Sequence, residues 1–279
     1  MRSSLDTTGI ILAAYGTGSP RGQAVLDAFE ERVSRAFPSH PIRWVFTGPC
    51  ARPRSQSAPT VHSAEEAFRD LADHGVTRLA MQPLQIIPGA EFEAVLRDAA
   101  SGQAGRRIRR TALGLPLLSG GDAVPSLARC MAEYRPGLEP GEALVWVGHG
   151  SLHAGQGYYD DLALALERTN APVLLGTLRP APCFSAMVAR LRAAGYAKVL
   201  LAPFFCLLGR HAARDILGSA GNGEGETESW KARLEQEGLT VRTLHKGLLE
   251  QDLFAKLWIE RLRSALSGLV SYSFPQASY

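Results

Sequence analysis

Cysteine is scarce in this chain and nothing pairs it. The four thiols, Cys50, Cys130, Cys183 and Cys206, lie far apart with no C-x-x-C spacing, which argues against a zinc knuckle and a disulfide framework; they read as reduced. Excess charge is also lacking. Thirty Lys+Arg against 27 Asp+Glu leave a formal net charge of +3, too little to point to nucleic acid, and the arginines are scattered rather than blocked along one face. A polyanionic small ligand suits that balance better. No apolar run reaches the ~20 residues of a membrane span. The opening residues Met-Arg-Ser-Ser-Leu-Asp-Thr-Thr lead straight into a strand-like segment, with no signal-peptide apolar region. The expectation is a cytoplasmic protein without membrane or nucleic-acid partners; a homo-oligomer is left open. There is no activated-nucleophile motif, phosphate loop or dinucleotide fingerprint either, so no nucleotide cofactor is expected.

What is present is an ordinary globular composition, 46% apolar and 20% charged over 279 residues, enough for one large domain or two ordinary ones. Apolar runs of strand length alternate with amphipathic stretches of helix length. Strands are expected at Gly9 to Tyr15, Ile42 to Phe46, Arg78 to Leu84 and Arg109 to Leu113, with helices at Gln23 to Phe37, Ser63 to His74 and Glu91 to Ala100 between them. A second series has strands at Ala143 to Val147, Val173 to Gly176, Lys198 to Pro203 and Thr240 to Leu244. Its helices are Tyr158 to Thr169, Ser185 to Ala194, one beginning near His211, and Gln251 to Leu266. That order predicts an α/β fold of two similar doubly wound parallel-sheet lobes, residues 1–135 and 136–279, with the boundary near Pro136 to Pro140.

Matching turn residues support the repeat. "AAYGTGS" from Ala13 aligns with "VWVGHGS" from Val145, which sets Thr17 opposite His149. "QPLQIIPGAE" from Gln82 aligns with "APFFCLLGRH" from Ala202, which pairs Pro83 with Pro203, Gly89 with Gly209 and Glu91 with His211. "TGPCARP" from Thr47 loosely matches "GTLRPAPC" from Gly176. Each matched segment follows a strand, and open α/β sheets bind ligands beyond the carboxyl ends of their strands. If the lobes face each other, one cleft receives Thr17, Glu91, His149 and His211. One carboxylate with two neutral imidazoles suits Co²⁺, Fe²⁺, Ni²⁺ or Zn²⁺ rather than Mg²⁺.

Each candidate has a plainer reading. A lone histidine is most often solvated or packed, as expected for His40, His62, His74 and His245, and His153 reads as solvated surface. His149 stands apart because glycines flank it at a strand end, although G-x-G fits any tight turn. Glu91 in a first helical turn is favoured by the helix dipole alone. Arg52, Arg54, Arg179, Arg210 and Arg214 would ordinarily be solvated, yet their clustering in these loops suits a clamp on several carboxylates. "SAGNGEGETESW" from Ser219 to Trp230 reads as a mobile acidic loop.

The segments "ILAAYGTGSP", "QPLQIIPGAEFE", "VGHGSLH", "LAPFFCLLGRHAARD", "SWKARLEQEG" and "KGLLEQ", taken in order, resemble the anaerobic sirohydrochlorin cobaltochelatases of the CbiK type, in the class II chelatase superfamily that includes ferrochelatase. The resemblance implies a bilobal fold, a tetrapyrrole in the interlobe cleft and insertion of Co²⁺ into sirohydrochlorin on the anaerobic cobalamin route. It implies metal handling by His149 and His211, with Glu91 in the catalytic set; Thr17, Arg52, Arg54, Gln85, Arg179 and Arg210, which sit in the same set of loops, are the expected substrate contacts. Two positions depart from the family pattern. Arg179 stands where G-T-V-E-G-Y-P carries glutamate, and Gln85 where S-L-H-I-I-N-G carries histidine. Fe²⁺ insertion for sirohaem, and a tetrapyrrole- or metal-binding homologue without catalysis, are the alternatives; a bilobal solute-binding protein is weaker, for want of a secretion signal.

Overall fold

In a computed structural model the described residues are 7–48, 63–103, 108–152, 154–179, 183–210, 212–218 and 228–268. Strands β1 (Thr7–Ala14), β2 (Ile42–Phe46), β3 (Val76–Pro83) and β4 (Arg110–Leu113) form one parallel sheet in the order β2-β1-β3-β4. Strands β5 (Glu142–Gly148), β6 (Val173–Thr177), β7 (Lys198–Phe204) and β8 (Thr240–Thr243) form a second, ordered β6-β5-β7-β8. The two orders are the same, so the repeat read in the sequence is a repeat of topology.

Helices α1 (Pro20–Ala36), α2 (Ala64–Asp73), α3 (Ala90–Gln103) and α4 (Ala123–Glu133) follow the first four strands. The local chemistry that starts them is conventional. Ser19 accepts from the Gly22 amide at 3.0 Å with Pro20 at the first helical position, and Ser63 and Glu66 form a reciprocal capping box. Helices α5 (Gln156–Glu167), α6 (Cys183–Ala193), α7 (Trp230–Gln236) and α8 (Asp252–Leu266) belong to the second series.

Because successive side chains alternate between two covered faces, the stretches Ile10–Ala14 of β1 and Ala143–Val147 of β5 are apolar at every position. Ile11 and Ala13 of β1 pack with Phe68 and Leu71 of α2 and Val95 of α3, while the equally buried Ile10 and Leu12 point to the opposite face. In the second sheet Val145 and Val147 pack with Leu191 of α6 and Trp230 and Leu234 of α7. The other face carries Trp146, edge-on to Phe204 and Phe254 and stacked on Tyr134. Full burial of an aromatic of that size stabilises by roughly 3 kcal/mol.

The chain divides into two compact units, Met1–Leu117 with Ala255–Tyr279, and Leu118–Phe254. That differs from the division at residue 135/136 drawn from the sequence. Helix α4 packs on α5, so it falls in the second unit. The later part of α8 falls in the first, where Arg261 Nη2 donates to the Leu117 carbonyl at 3.1 Å and the Arg263 guanidinium lies 5.1 Å from the Phe37 ring.

Three local expectations change. Helices α4 and α7 were not expected as separate elements. The helix foreseen near His211 is a short π-helical turn, Ala212–Ile216. The acidic stretch ends in structure, since Ser229 caps α7 and Trp230 is buried; residues 219–227 lie outside the described residues.

Candidate functional site at the carboxyl ends of the strands

In the second unit, β5 runs out at Gly148 and the chain turns through His149 and Gly150. The flanking glycines are required for different reasons. A Cβ on Gly148 would lie 2.6 Å from the Tyr159 ring. Gly150 has φ +75° and rests against the Arg179 carbonyl, where a Cβ would overlap that oxygen. The loops after β5 and β6 are thus in backbone contact: Leu178 N donates to Gly148 O at 2.9 Å and Arg179 N to His149 O at 3.2 Å. Downstream, the Ser151 amide donates to Gln156 Oε1 at 2.9 Å, and Gln156 Nε2 to Asp160 Oδ1 at 2.9 Å, tying the turn to α5.

His149 itself is exposed. Its Nδ1 lies 3.1 Å from the Gly150 carbonyl. A carbonyl only accepts, so in this contact Nδ1 carries the proton and the lone pair of the neutral ring sits on Nε2. The ring meets Phe205 edge to face, centroids 6.1 Å apart. Phe205 opens the loop after β7, which continues through Leu207, Leu208 and Arg210 into the π-helical turn, with Leu217 N donating to Ala212 O at 3.2 Å. Such widened turns recur at functional sites. Arg179 and Arg210 are exposed. Among the described residues, therefore, the structure joins His149, Phe205 and Arg179 at one end of one sheet; His211 lies outside the described residues.

In the first unit Thr17 is half-buried, and its hydroxyl is occupied with the start of α1. Thr17 Oγ1 accepts from the Ser19 amide at 3.2 Å and packs where a Gly22 Cβ would be. Gln85 follows β3; its carbonyl accepts from Leu117 N at 3.1 Å, while its amide Nε2 and Oε1 are buried without a partner. Glu91 is exposed in the first turn of α3. Arg52 and Arg54 lie outside the described residues. Among the described residues no group of three or more His, Cys, Asp or Glu is placed to hold a metal ion.

Strand register corrects one equivalence. Ala13 of β1 pairs with Pro83 of β3 as Val147 of β5 pairs with Pro203 of β7. Thr47 N donates to Ala14 O and Gly48 N to Tyr15 O, each at 2.9 Å, repeating the bonds received by Gly148 and His149. Gly16 (φ +88°) then matches Gly150. The counterpart of His149 is Tyr15, two residues before Thr17; the shared glycine spacing had drawn the alignment out of register. Pairing the strands on Pro83 and Pro203 would have found Tyr15. Phe205 carried no such signal, because its contact with His149 joins two separate loops.

The chain is similar to known proteins over most of its length. Residues 8–267 match the model of the cobalt chelatase (CbiK) family. The chain is 34% identical over 263 residues to the sirohydrochlorin cobaltochelatase CbiKC of Nitratidesulfovibrio vulgaris, covering 94% of this chain and 91% of that protein. It is 28% identical over 218 residues to the sirohydrochlorin cobaltochelatase of Salmonella typhimurium, covering 78% and 79%. Among solved structures, SirB from Bacillus subtilis with Fe³⁺ superposes with a TM-score of 0.64 at 16% identity, over 96% of this chain and all (100%) of that one. At that identity the likeness is one of fold.

Proposed function

The chain belongs to the cobalt chelatase (CbiK) family, and from that premise we propose that it inserts Co²⁺ into sirohydrochlorin, as a cytoplasmic, nucleotide-independent lyase of anaerobic cobalamin biosynthesis. The observation that carries the reading is the presentation of His149: exposed, fixed by two required glycines, and with its Nδ1 engaged by a carbonyl so that Nε2 holds the lone pair.

Insertion requires that two pyrrole protons leave, that the macrocycle bend so its nitrogen lone pairs point outward, and that a partly desolvated ion be handed over. A neutral imidazole can do either transfer. It accepts a proton, and it holds a divalent ion weakly enough to release it, whereas a closed four-ligand site would keep the ion. His149 holds the ion through Nε2 and, once the ion has passed to the macrocycle, accepts one pyrrole proton at that same atom; His211 acts as its partner, and Glu91 takes up the second proton. Arg179 and Arg210, with Arg52 and Arg54, pair with the substrate's carboxylates; Gln85 and Thr17 complete its polar contacts. The metal is here a substrate, not a resident cofactor.

Arg179 supports a second reading. Arg179, whose backbone amide donates to the His149 carbonyl, puts an exposed cationic side chain on the loop joined to the residue that would receive a cation, which suits a tetrapyrrole-binding homologue that no longer inserts metal. Fe²⁺ in place of Co²⁺ is the remaining variant, since an imidazole and carboxylate set accepts both. Anaerobic absorption spectra of sirohydrochlorin with Co²⁺ or Fe²⁺, with and without the protein, separate all three. Accelerated Co²⁺ insertion supports the chelatase; binding without acceleration supports the homologue; acceleration with Fe²⁺ alone supports sirohaem synthesis.

A further inference from the structure

Helix α8 buries Ala255, Trp258, Leu262 and Ala265, an apolar stripe of three- and four-residue steps. Arg261 comes three residues after Trp258 and four before Ala265, so the same spacing puts a guanidinium on the buried side of the helix, where it is half-buried. Arginine in such a position ordinarily has a counter-charge. Arg43, also half-buried, has Asp70 at 2.6 Å. Arg261 meets no carboxylate among the described residues. A single N–H, from Nη2, donates to the Leu117 carbonyl at 3.1 Å, and burial pushes the group below the ordinary arginine value with no opposite charge to offset it.

Leu117 lies in the loop after β4, at the end of the sheet where α/β folds bind their ligands. That loop is bonded to the one after β3: Gln82 Nε2 donates to the Leu115 carbonyl at 3.2 Å, and Leu117 N to the Gln85 carbonyl at 3.1 Å. The uncompensated cation therefore reaches the strand ends that carry Gln85, whose own amide has no partner. A helix that breaks its apolar stripe with a charge, and leaves that charge unmatched at a ligand-binding edge, calls for an anion from outside the chain.

We propose that Arg261 is a substrate contact of the first unit, its remaining N–H groups donating to a side-chain carboxylate of the tetrapyrrole while Nη2 stays on Leu117. The inference rests on the sirohydrochlorin reading above and adds a residue from outside the matched loops. Arg179 and Arg210 are exposed and keep their water without a ligand. Arg261 has lost part of its water, and a carboxylate matched to the guanidinium fork replaces it.

The test is anaerobic fluorescence titration of metal-free sirohydrochlorin with wild type, Arg261→Gln and Arg263→Gln, beside urea melts of each. Arg263, on the same helix, is more exposed and lies 3.4 Å from Glu260, so its variant removes the same charge without the proposed contact. Arg261→Gln should bind about tenfold more weakly at low salt, the scale of a hydrogen bond between charged groups, with the gap narrowing as salt is added. It should be as stable as wild type or more so, because an uncompensated charge is gone, and Arg263→Gln should bind within about twofold of wild type. Equal affinity of Arg261→Gln and wild type overturns the contact while leaving the chelatase reading intact. Parallel losses of stability and affinity in Arg261→Gln overturn it too, since Arg261 would then only clip α8 to Leu117. Equal weakening by Arg263→Gln makes the effect one of net charge and also overturns it. A wild type that does not bind sirohydrochlorin removes both the contact and the function it rests on.

Discussion

The amide of Arg179 donates to the carbonyl of His149 at 3.2 Å, with the Arg179 carbonyl against Gly150 in turn. The turn that carries the candidate metal-binding imidazole and the loop that carries Arg179 are therefore joined as one piece of backbone. Gly150→Ala should break that piece. A side chain at φ +75° is strained, and its Cβ must displace Arg179. We expect a loss of about 1–3 kcal/mol in urea melts, with Co²⁺ insertion falling further than stability alone explains. A variant as stable and active as wild type would show that the two loops can part freely.

His149→Ala should separate chemistry from folding. The side chain is exposed, so stability should stay within roughly 0.5 kcal/mol, while insertion drops on the order of 10²–10⁴-fold, the worth of a positioned acid–base group. Sirohydrochlorin binding should persist. His245→Ala, also at an exposed position, is the control and should insert normally. Undiminished insertion by His149→Ala would reduce His149 to a turn residue.

Arg179→Ala should weaken sirohydrochlorin binding by about 1.5–3 kcal/mol, the range for a hydrogen bond to a charged group, and the difference from wild type should shrink as salt is added. Arg179→Glu should bind the polyanion more weakly still, and bind Co²⁺ more tightly, as read by calorimetry. Equal affinities of all three proteins for sirohydrochlorin at low salt would return Arg179 to solvated surface.

At the far end of the strand that leads to His149, Glu142 is buried and accepts from Arg242 Nε at 3.0 Å, Arg242 Nη2 at 2.7 Å and the Glu139 amide at 3.0 Å. Burial alone would raise its carboxyl, but the bonds from Arg242 and Glu139 and the charges of Arg242 and Lys198 together hold it below the ordinary carboxylate range. A lowered folded-state value stabilises fully above the unfolded value near ~4.3, and that contribution is lost as pH falls through the folded value. Melts between neutral and acid pH should show a slope that Glu142→Gln flattens, with its stability already reduced at neutral pH. Parallel curves for the two proteins would contradict the linkage.

The sequence showed the sheets well and the site unevenly. Continuous apolar runs such as Ile10–Ala14 and Ala143–Val147 read as buried parallel strands because both their faces are covered, and that reading holds. Helix α7 was hidden because its buried Trp230 follows a run of Gly and Glu. The paired topology was legible, but Gly-x-Gly spacing misaligned it by two residues, since turn glycines answer to local clashes with Tyr159 and Arg179 rather than to strand register. Gln85 was singled out from the family pattern, and its unpartnered buried amide gives that choice a physical ground the sequence lacked.

Helix α8 has a consequence for how the protein is made. The first unit needs residues from Ala255 onward, among them the buried Trp258 and Leu262 and the Arg261 that grips Leu117, whereas the second unit, Leu118–Phe254, is continuous in the chain. Domains generally fold as units during synthesis, the N-terminal one first. Here the segment that completes the N-terminal unit is made last, after the whole second unit, so the expected order is the reverse: the continuous second unit folds first, and the first completes its core only once α8 has been synthesised.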